Sequence, residues 1–110
     1  MNETRESESV SMNLNELLKY QSGAVVSKVL LKKSSGNITL FAFDKGEGLS
    51  EHTAPFDAFV HLTDGEAEIT ISGKQYVLHG GEAIVMPAGQ PHSLKAIAAF
   101  KMILVMIKSE

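Results

Sequence analysis

The stretch from Gly81 to His92 constrains the fold of this 110-residue chain more than any other segment. A short apolar segment, Ala83 to Met86, runs directly into a turn that contains Pro87 and Gly89. Proline restricts φ and glycine accepts a positive φ, so the two residues together impose a defined turn. One histidine follows that turn. The stretch therefore predicts a strand that ends in a stiff turn, which aims the side chain of His92.

Most of the remaining chain alternates between short strand-like segments and turn residues. The clearest segment is Glu66 to Ser72, in which Ala67, Ile69 and Ile71 alternate with polar side chains and so share one face. The other predicted strands are Ala24–Lys32, Ile38–Phe43, Phe56–Thr63, Gln75–His79, Ser93–Ile97 and Phe100–Lys108. Many short strands at near-regular spacing predict an all-β sandwich or barrel.

The segments outside these strands predict a helical turn, two hairpin turns and a tail. Leu14 to Tyr20 has a helical pattern, and Asn13 is its candidate N-cap. The dipeptides Asp64-Gly65 and Gly73-Lys74 each predict a tight turn between paired strands. The first residues of the chain are polar. We therefore expect residues 1–12 to form a flexible N-terminal tail and residues 13–110 to form one barrel domain.

Composition excludes several classes of function. The chain has no cysteine, which excludes a disulfide framework, a thiolate metal site and a cysteine nucleophile. Its formal net charge is -3 and its lysines are dispersed, so no basic face is available for nucleic acid. The segment Met1 to Ser11 is polar and has no apolar run behind it, unlike a signal peptide or a membrane span. We expect a cytoplasmic protein without a nucleic-acid or membrane partner.

Two spaced motifs resemble those of the cupin superfamily and together involve most of the chain. The family's second motif is glycine, five residues, proline, one residue, glycine, two residues, histidine, three residues and asparagine. Gly81, Pro87, Gly89 and His92 match this motif, and Ala96 replaces the asparagine. The match is nearly complete, so the resemblance rests mainly on this stretch.

The family's first motif is matched less fully. It reads glycine, five residues, histidine, one residue, histidine, three or four residues, glutamate, six residues and glycine. Gly46, His52 and Gly65 match it, whereas Ala54 replaces the second histidine and Ala58 replaces the glutamate. The resemblance implies an antiparallel double-stranded β-helix, also called a jelly-roll barrel. It also implies a homodimer, since small members of the family commonly pair through their sheets.

The last predicted strand, Phe100 to Lys108, is apolar on both faces. All residues from Met102 to Ile107 are apolar, whereas a strand with one face in water would alternate. Both faces should therefore be covered. One interpretation is a strand wholly inside a two-sheet sandwich. The other is a second subunit on the outer face, and the family resemblance favours this homodimer.

The candidate site contains two histidines, His52 and His92, which the resemblance places at the mouth of the barrel. Cupins usually hold a divalent metal with three histidines and a glutamate, of which this chain keeps two. The implied cofactor is a divalent transition metal (Zn, Ni, Fe, Mn or Cu), although zinc sites use three or four protein ligands. Glu51 and Asp57 are the nearest carboxylates, but both have the wrong parity to bind the metal unless the loop at Pro55 bulges. His61 becomes a third ligand only if the loop before it shifts the strand by one residue.

The replacements at Ala54 and Ala58 leave a second interpretation open. Methyl groups in place of a ring and a carboxylate enlarge the pocket and make it less polar, and Met86 adds apolar lining. His52 and His92 then hydrogen-bond a small organic ligand or water, unless neighbouring side chains fill the space. The favoured function is a small-molecule binding or sensing domain. The alternative is a metal-dependent enzyme of the oxygenase or isomerase class with a reduced two-histidine metal site.

Overall fold

The computed structural model describes residues 9–109, so residues 1–8 of the expected tail lie outside the described part. Residues 9–12 are irregular and exposed. Residues 9–109 contain one short helix and nine strands. The elements are α1 (Leu14–Leu17), β1 (Val25–Lys33), β2 (Gly36–Phe43), β3 (Gly48–His52), β4 (Phe56–Asp64), β5 (Glu66–Ile71), β6 (Lys74–His79), β7 (Ala83–Met86), β8 (His92–Ala96) and β9 (Phe100–Lys108).

The strands form two sheets that face each other. One sheet has five strands in the order β1-β2-β9-β4-β7, and the other has four in the order β3-β8-β5-β6. Every pair of neighbouring strands is antiparallel. This architecture confirms the predicted all-β, antiparallel jelly-roll barrel.

The hydrophobic core lies between the inner faces of the two sheets. In the five-stranded sheet, β4 buries Val60 and Leu62, and in the four-stranded sheet β5 buries Ile69 between the polar residues Glu68 and Thr70. The rings of Phe43 and Phe100 stack at a centroid distance of 4.4 Å between β2 and β9. Each such side chain contributes about 1.5–3 kcal/mol when fully buried. The period-two pattern of the sequence therefore explains which side chains form the core.

The helix is shorter than the sequence pattern predicts. It ends at Leu17 because the next residue, Leu18, has extended backbone angles (φ -127°, ψ 145°). Its N-cap is Asn13, as predicted, and the side-chain oxygen of Asn13 accepts a hydrogen bond from the backbone N–H of Asn15 at 3.1 Å. Within residues 9–109, no helix has the length and apolar character needed to cross a membrane.

The segment around α1 is attached to the five-stranded sheet by a buried lysine. The Lys101 ammonium donates to the backbone oxygen of Asn15 at 2.6 Å and lies 5.0 Å from the centre of the Tyr20 ring. The Tyr20 hydroxyl donates to the Asp64 carboxylate. Burial and this carboxylate raise the pKa of Tyr20 well above its usual range. These polar contacts hold the N-terminal segment against the outer face of the sheet.

The turn between β5 and β6 is displaced by one residue from its predicted position. Ser72 and Gly73 both have positive φ, 49° and 83°, which is the pattern of a type I′ hairpin turn. Lys74 pairs directly with Ile71 and so already belongs to β6. The glycine was correctly identified as a turn residue, but its partner is the serine before it.

The prediction of a hairpin at Asp64-Gly65 was wrong. The strands on either side, β4 and β5, lie in different sheets and do not pair with each other. Gly65 instead carries the chain across from one sheet to the other with φ 84°. A Cβ atom at this position would overlap the backbone oxygen of Ala99 and lie 2.6 Å from the Cα of Phe100. Glycine is required here by a close backbone approach as well as by its dihedral angle.

The outer face of the five-stranded sheet remains partly apolar and open. Strand β9 lies in the middle of this sheet, and its inner face fills the barrel as the sequence pattern requires. On the outer face Ile107 is 59% exposed, and on β4 and β7 the neighbouring Phe59 and Val85 are 42% and 56% exposed. Within residues 9–109, no second sheet covers this end of the face. The sandwich interpretation therefore does not explain the apolar outer face of β9.

Candidate functional site

Two histidines meet on the four-stranded sheet. His52 ends β3 and His92 begins β8, and the antiparallel register pairs them directly. Their rings lie at a centroid distance of 4.4 Å with an interplanar angle of 65°. His92 is buried, whereas His52 is more exposed. The stiff turn at Pro87 to Gly89 thus delivers His92 beside His52, as the motif spacing suggested.

The hydrogen bonds of the two rings define their tautomers. The Nδ1 of His52 lies 2.8 Å from the backbone oxygen of Ser50, and the Nδ1 of His92 lies 3.0 Å from that of Gln90. A carbonyl oxygen only accepts, so each Nδ1 carries the proton in these contacts. Each neutral ring therefore keeps an unprotonated Nε2, whose lone pair is available to accept a hydrogen bond or bind a metal.

Both histidines line a cavity between the two sheets. The cavity has a volume of about 50 Å³, and the remaining lining is apolar. The lining residues are Leu49, His52, Ala54, Phe56, Ala58, Met86, His92, Leu94, Met102, Leu104 and Met106. A buried water needs about 10–15 Å³ in this measure, so the cavity has room for a few waters or for part of a small ligand.

The five residues proposed as pocket lining from the sequence all lie in this cavity. The two alanines that replace family ligands, Ala54 and Ala58, contribute methyl groups to its wall. Met86, which the sequence was expected to add as apolar lining, also lines the cavity. Ala58 therefore faces the space between the sheets, whereas Ala54 lies half-exposed at the mouth of the same cavity.

The cavity is also lined by two methionines that the sequence analysis did not identify as lining residues. Met102 and Met106 lie on the inner face of β9, four residues apart, with Leu104 between them on the same face. The signal was present, because residues at even spacing share one face of a strand. It was hidden because β9 is apolar at both parities, so hydrophobicity alone does not distinguish its inner face.

The structure does not bring His61 to the site. The pairing of β4 with β9 is regular from Phe56 to Leu62, and its only irregularity follows Leu62. The register therefore does not shift at the loop before β4. Ala58 and Val60 point inward, so His61 lies on the opposite face of the sheet, and its role as a third ligand is excluded.

The donors at the site do not fit the divalent metal centre that the resemblance implies. Two imidazole nitrogens remain, and Ala54 and Ala58 supply no donor. Asp57 is turned away, and its carboxylate accepts from the backbone N–H of Ala88 at 2.9 Å. In the described part of the chain, no group of three His, Asp or Glu side chains is placed to hold a metal. Zinc and non-haem iron sites need a third or fourth ligand of this kind.

His79 and Glu82 form a separate pair on the surface whose contacts predict a pH dependence of stability. The Glu82 carboxylate accepts from the backbone N–H of His79 at 2.7 Å and lies 3.2 Å from its ring Nδ1. These hydrogen bonds lower the pKa of Glu82 below 4.5. A depressed carboxyl pKa stabilises the fold above the unfolded pKa, and this contribution is lost as pH falls through the folded pKa.

We therefore expect Glu82→Gln to be less stable than the parent chain at neutral pH. The difference in unfolding free energy should shrink as pH falls below 4.5, because the parent carboxylate then becomes protonated. Urea denaturation of both chains across this range measures the difference. If the difference in unfolding free energy between the two chains stays constant with pH, the charge of Glu82 contributes nothing to stability.

Comparison with known proteins assigns this geometry to a family. Residues 39–108 match the family described as Cupin domain. A conserved Streptococcus pyogenes protein of unknown function aligns with a TM-score of 0.89 and 38% identity, over 94% of this chain and 91% of that chain. A cupin superfamily protein from Desulfitobacterium hafniense aligns with a TM-score of 0.87 and 25% identity, over 93% and 94% of the two chains.

This chain is also similar to part of a longer protein whose structure has been solved. A cupin 2 conserved barrel domain protein from Leptotrichia buccalis has 41% identity and a TM-score of 0.85, over 88% of this chain and 47% of that chain. None of the curated proteins matches this sequence. The family match spans more than half of the chain. The chain belongs to the cupin family and forms its small conserved β-barrel.

Proposed function

We propose that this chain is a cupin-type domain that binds or senses a small organic molecule in the cavity between its sheets. One observation carries the proposal: an apolar cavity whose polar groups are the two imidazoles of His52 and His92. Binding sites for small molecules combine a mostly apolar wall with a few placed polar groups. The alanines at the two replaced ligand positions supply the apolar wall.

The chemistry of the two rings indicates the kind of ligand. With both Nδ1 atoms engaged by backbone oxygens, each neutral ring offers an Nε2 acceptor. A ligand with one or two hydroxyl hydrogens can donate to these atoms while its apolar part contacts the methionines and leucines. We therefore favour small phenols, alcohols or diols over ligands whose only polar atoms are acceptors.

The alternative is a metal-dependent enzyme of the oxygenase or isomerase class. It requires a metal centre, and two histidines without a carboxylate are a poor basis for one. Stoichiometric Zn, Ni, Fe, Mn or Cu in protein purified without an affinity tag would favour the alternative. We favour binding because the donors that remain suit hydrogen bonding better than divalent coordination.

Blocking the mouth of the cavity should weaken ligand binding. Ala54 is half-exposed at this mouth, so Ala54→Leu can fill the entrance without overpacking the core. For a hydroxyl-bearing fragment identified by NMR screening, we expect Kd to rise at least about tenfold, or about 1.4 kcal/mol. The matched control is Ala83→Leu, which adds the same atoms to an exposed position on β7.

The control separates occupancy of the cavity from a general effect on the surface. Ala83→Leu should bind the same fragment as tightly as the parent chain. If Ala54→Leu also binds the fragment unchanged, the ligand lies elsewhere and the proposal is wrong.

We also propose that two copies of the chain pair through the outer face of the five-stranded sheet. Phe59, Val85 and Ile107 present exposed apolar surface on neighbouring strands of this face. A two-fold pair uses the same patch on both copies, so the apolar side chains of one copy contact apolar side chains of the other. A stable dimer buries about 800 Å² on each partner, which is an area that one sheet face can supply.

A pair of valine substitutions tests this dimer. Val85 is 56% exposed on the proposed interface, and Val77 is 47% exposed on β6 of the other sheet. We expect the parent chain to be a dimer by light scattering at micromolar concentration, and Val85→Lys to be a monomer because it would bury two unpaired charges. Val77→Lys should remain a dimer. A monomeric parent, or equal dissociation of both variants, would contradict the proposed interface.

A further inference from the structure

The outer face of the five-stranded sheet carries an apolar row that crosses all five strands. Residues directly opposite each other in an antiparallel pair project to the same face, so the strand registers define rows of side chains. At the open end of this face, each member of one row is directly paired with the next. In the order β1, β2, β9, β4, β7, this row consists of Leu31, Ile38, Val105, Phe59 and Val85.

The two ends of the apolar row differ in shape. At the β1 end lies a groove of about 230 Å³. Gly36 lies between Lys33 of β1 and Ile107 of β9 in the next row, and its lack of a side chain leaves room for the groove. The apolar lining of the groove consists of Leu31, Ile38, Val105, Met106 and Ile107. At the β7 end, Phe59 and Val85 are 42% and 56% exposed. One face therefore carries both an apolar groove and the exposed side chains that could fill it.

A two-fold axis parallel to the strands brings the two ends of the row together. Strand β9 is the middle strand of the five. Rotation about an axis along β9 therefore places β4 of one copy over β2 of the other, and β7 over β1. The Phe59 ring of each copy then lies over the groove of the other. Val105, in the middle of the row, lies at the axis and faces its own equivalent.

Charges in the neighbouring rows favour this axis. Packed sheets align their strands within about 30°, which allows a two-fold axis along the strands or along the row. With the axis along the strands, Asp57 of one copy lies over Gly36 of the other, beside the exposed Lys33 that pairs with Gly36. With the axis along the row, Lys33 faces Lys28 of the second copy, which has the same charge. That axis also opposes Asp57 to His61, a pair that attracts only when the imidazole is protonated.

We propose that two copies of this chain pair about a two-fold axis along β9, with the Phe59 ring of each copy in the groove of the other and Lys33 beside Asp57 across the interface. The inference rests on the proposed dimer and adds the orientation of the copies and the occupant of the groove. Because one face supplies both the ring and the groove, a single pairing fills both grooves and leaves none open to a third copy.

Charge reversal tests this orientation without changing the apolar row. Lys33→Glu and Asp57→Lys each create two like-charged contacts in the dimer, so we expect each to raise the dimer Kd at least about tenfold in sedimentation equilibrium. Combining the two substitutions restores opposite charges and should return Kd to within about threefold of the parent value. The matched control is Lys28→Glu on the same strand, which should change Kd less than about threefold because Lys28 then faces Ala83. A combined variant as weak as the single variants would overturn the orientation.

Engineered cysteines test the contact itself, because the chain has no cysteine of its own. Leu31 and Val85 lie on opposite edge strands of the sheet, beyond the limit of about 7 Å between the Cα atoms of a disulfide. Any disulfide between these positions must therefore join two chains, as inter-sheet disulfides join packed sheets elsewhere. On mild oxidation, Leu31→Cys combined with Val85→Cys should form covalent dimers, and each single variant should remain unlinked. Efficient linking of Val85→Cys alone would place the axis along the row and overturn the inference.

The dimer and its orientation fail separately in these experiments. A parent chain that is monomeric by light scattering would overturn both. If the parent is a dimer that Val85→Lys dissociates, the outer-face dimer stands. In that case, charge reversals without effect on Kd, or a cysteine pair that leaves a dimeric variant unlinked, would overturn the orientation alone.

Discussion

Combining Ala54→His with Ala58→Glu should convert the cavity into a divalent metal site. Both positions line the cavity that His52 and His92 share, so the double variant places three imidazoles and one carboxylate around one space. We expect its affinity for Zn(II) or Ni(II) to exceed that of the parent by about two orders of magnitude or more, because such sites need three or four protein ligands. Isothermal titration calorimetry measures both affinities.

Stability provides a second readout of the same variant. Ala58 is buried, so the new carboxylate should destabilise the metal-free fold by about 1–3 kcal/mol. Metal binding should reverse this loss, since a ligand at 100 times its Kd adds about 2.7 kcal/mol. The control combines Ala83→Glu with His61→Ala on the outer face, and should gain no affinity. A double variant that binds metal no better than the parent would show that the backbone of the site has diverged as well.

Gly65→Ala should be among the most destabilising single substitutions in the barrel. The φ of 84° costs an ordinary residue about 1–2 kcal/mol, and the clash of a new Cβ with the backbone at Ala99 and Phe100 costs about 1–3 kcal/mol more. The neighbouring atoms are backbone, so they cannot rotate away. We expect a loss of about 2–5 kcal/mol in the free energy of unfolding, measured by urea denaturation.

Gly73→Ala is the matched control for this prediction. Gly73 has almost the same φ, 83°, but a Cβ at this hairpin turn would have no atom within 4 Å. It should therefore show only the dihedral cost of about 1–2 kcal/mol. Equal losses of unfolding free energy in the two variants would mean that the close contact between position 65 and the backbone of Ala99 and Phe100 does not contribute to the destabilisation.

Local patterns in the sequence were sufficient to predict the all-β class and the turn before His92, whereas the jelly-roll barrel and the pairing of His52 with His92 came from the family resemblance. Alternation in Glu66 to Ser72 identified a buried face, and the Pro87 and Gly89 turn fixed the direction of His92. These features are local, because strand parity and turn conformation depend on residues that are close in the chain. The structure has both features: β5 alternates between buried and half-buried residues, and His92 follows the turn and pairs with His52.

Apart from the histidine pair that the family resemblance implied, features that depend on pairing between distant strands were not predicted. Asp64-Gly65 has the local chemistry of a hairpin turn, yet β5 pairs with β6 and β8 and leaves β4 in the other sheet. The positions of Met86 and Met106 beside Ala58 likewise follow from the register of three strands. A single sequence indicates which residues of a strand share a face, but strand partners are set by the global topology.

One NMR measurement tests most directly whether the cavity is the binding site. Long-range ¹H–¹⁵N correlation spectra resolve the ring nitrogens of all four histidines in the chain. In the free protein, His52 and His92 should show protonated Nδ1 and unprotonated Nε2. Addition of a hydroxyl-bearing fragment should shift the Nε2 signals of these two rings and leave His61 and His79 unchanged. A protonated Nε2 in the free protein, or fragment shifts confined to His61 and His79, would contradict the proposed site.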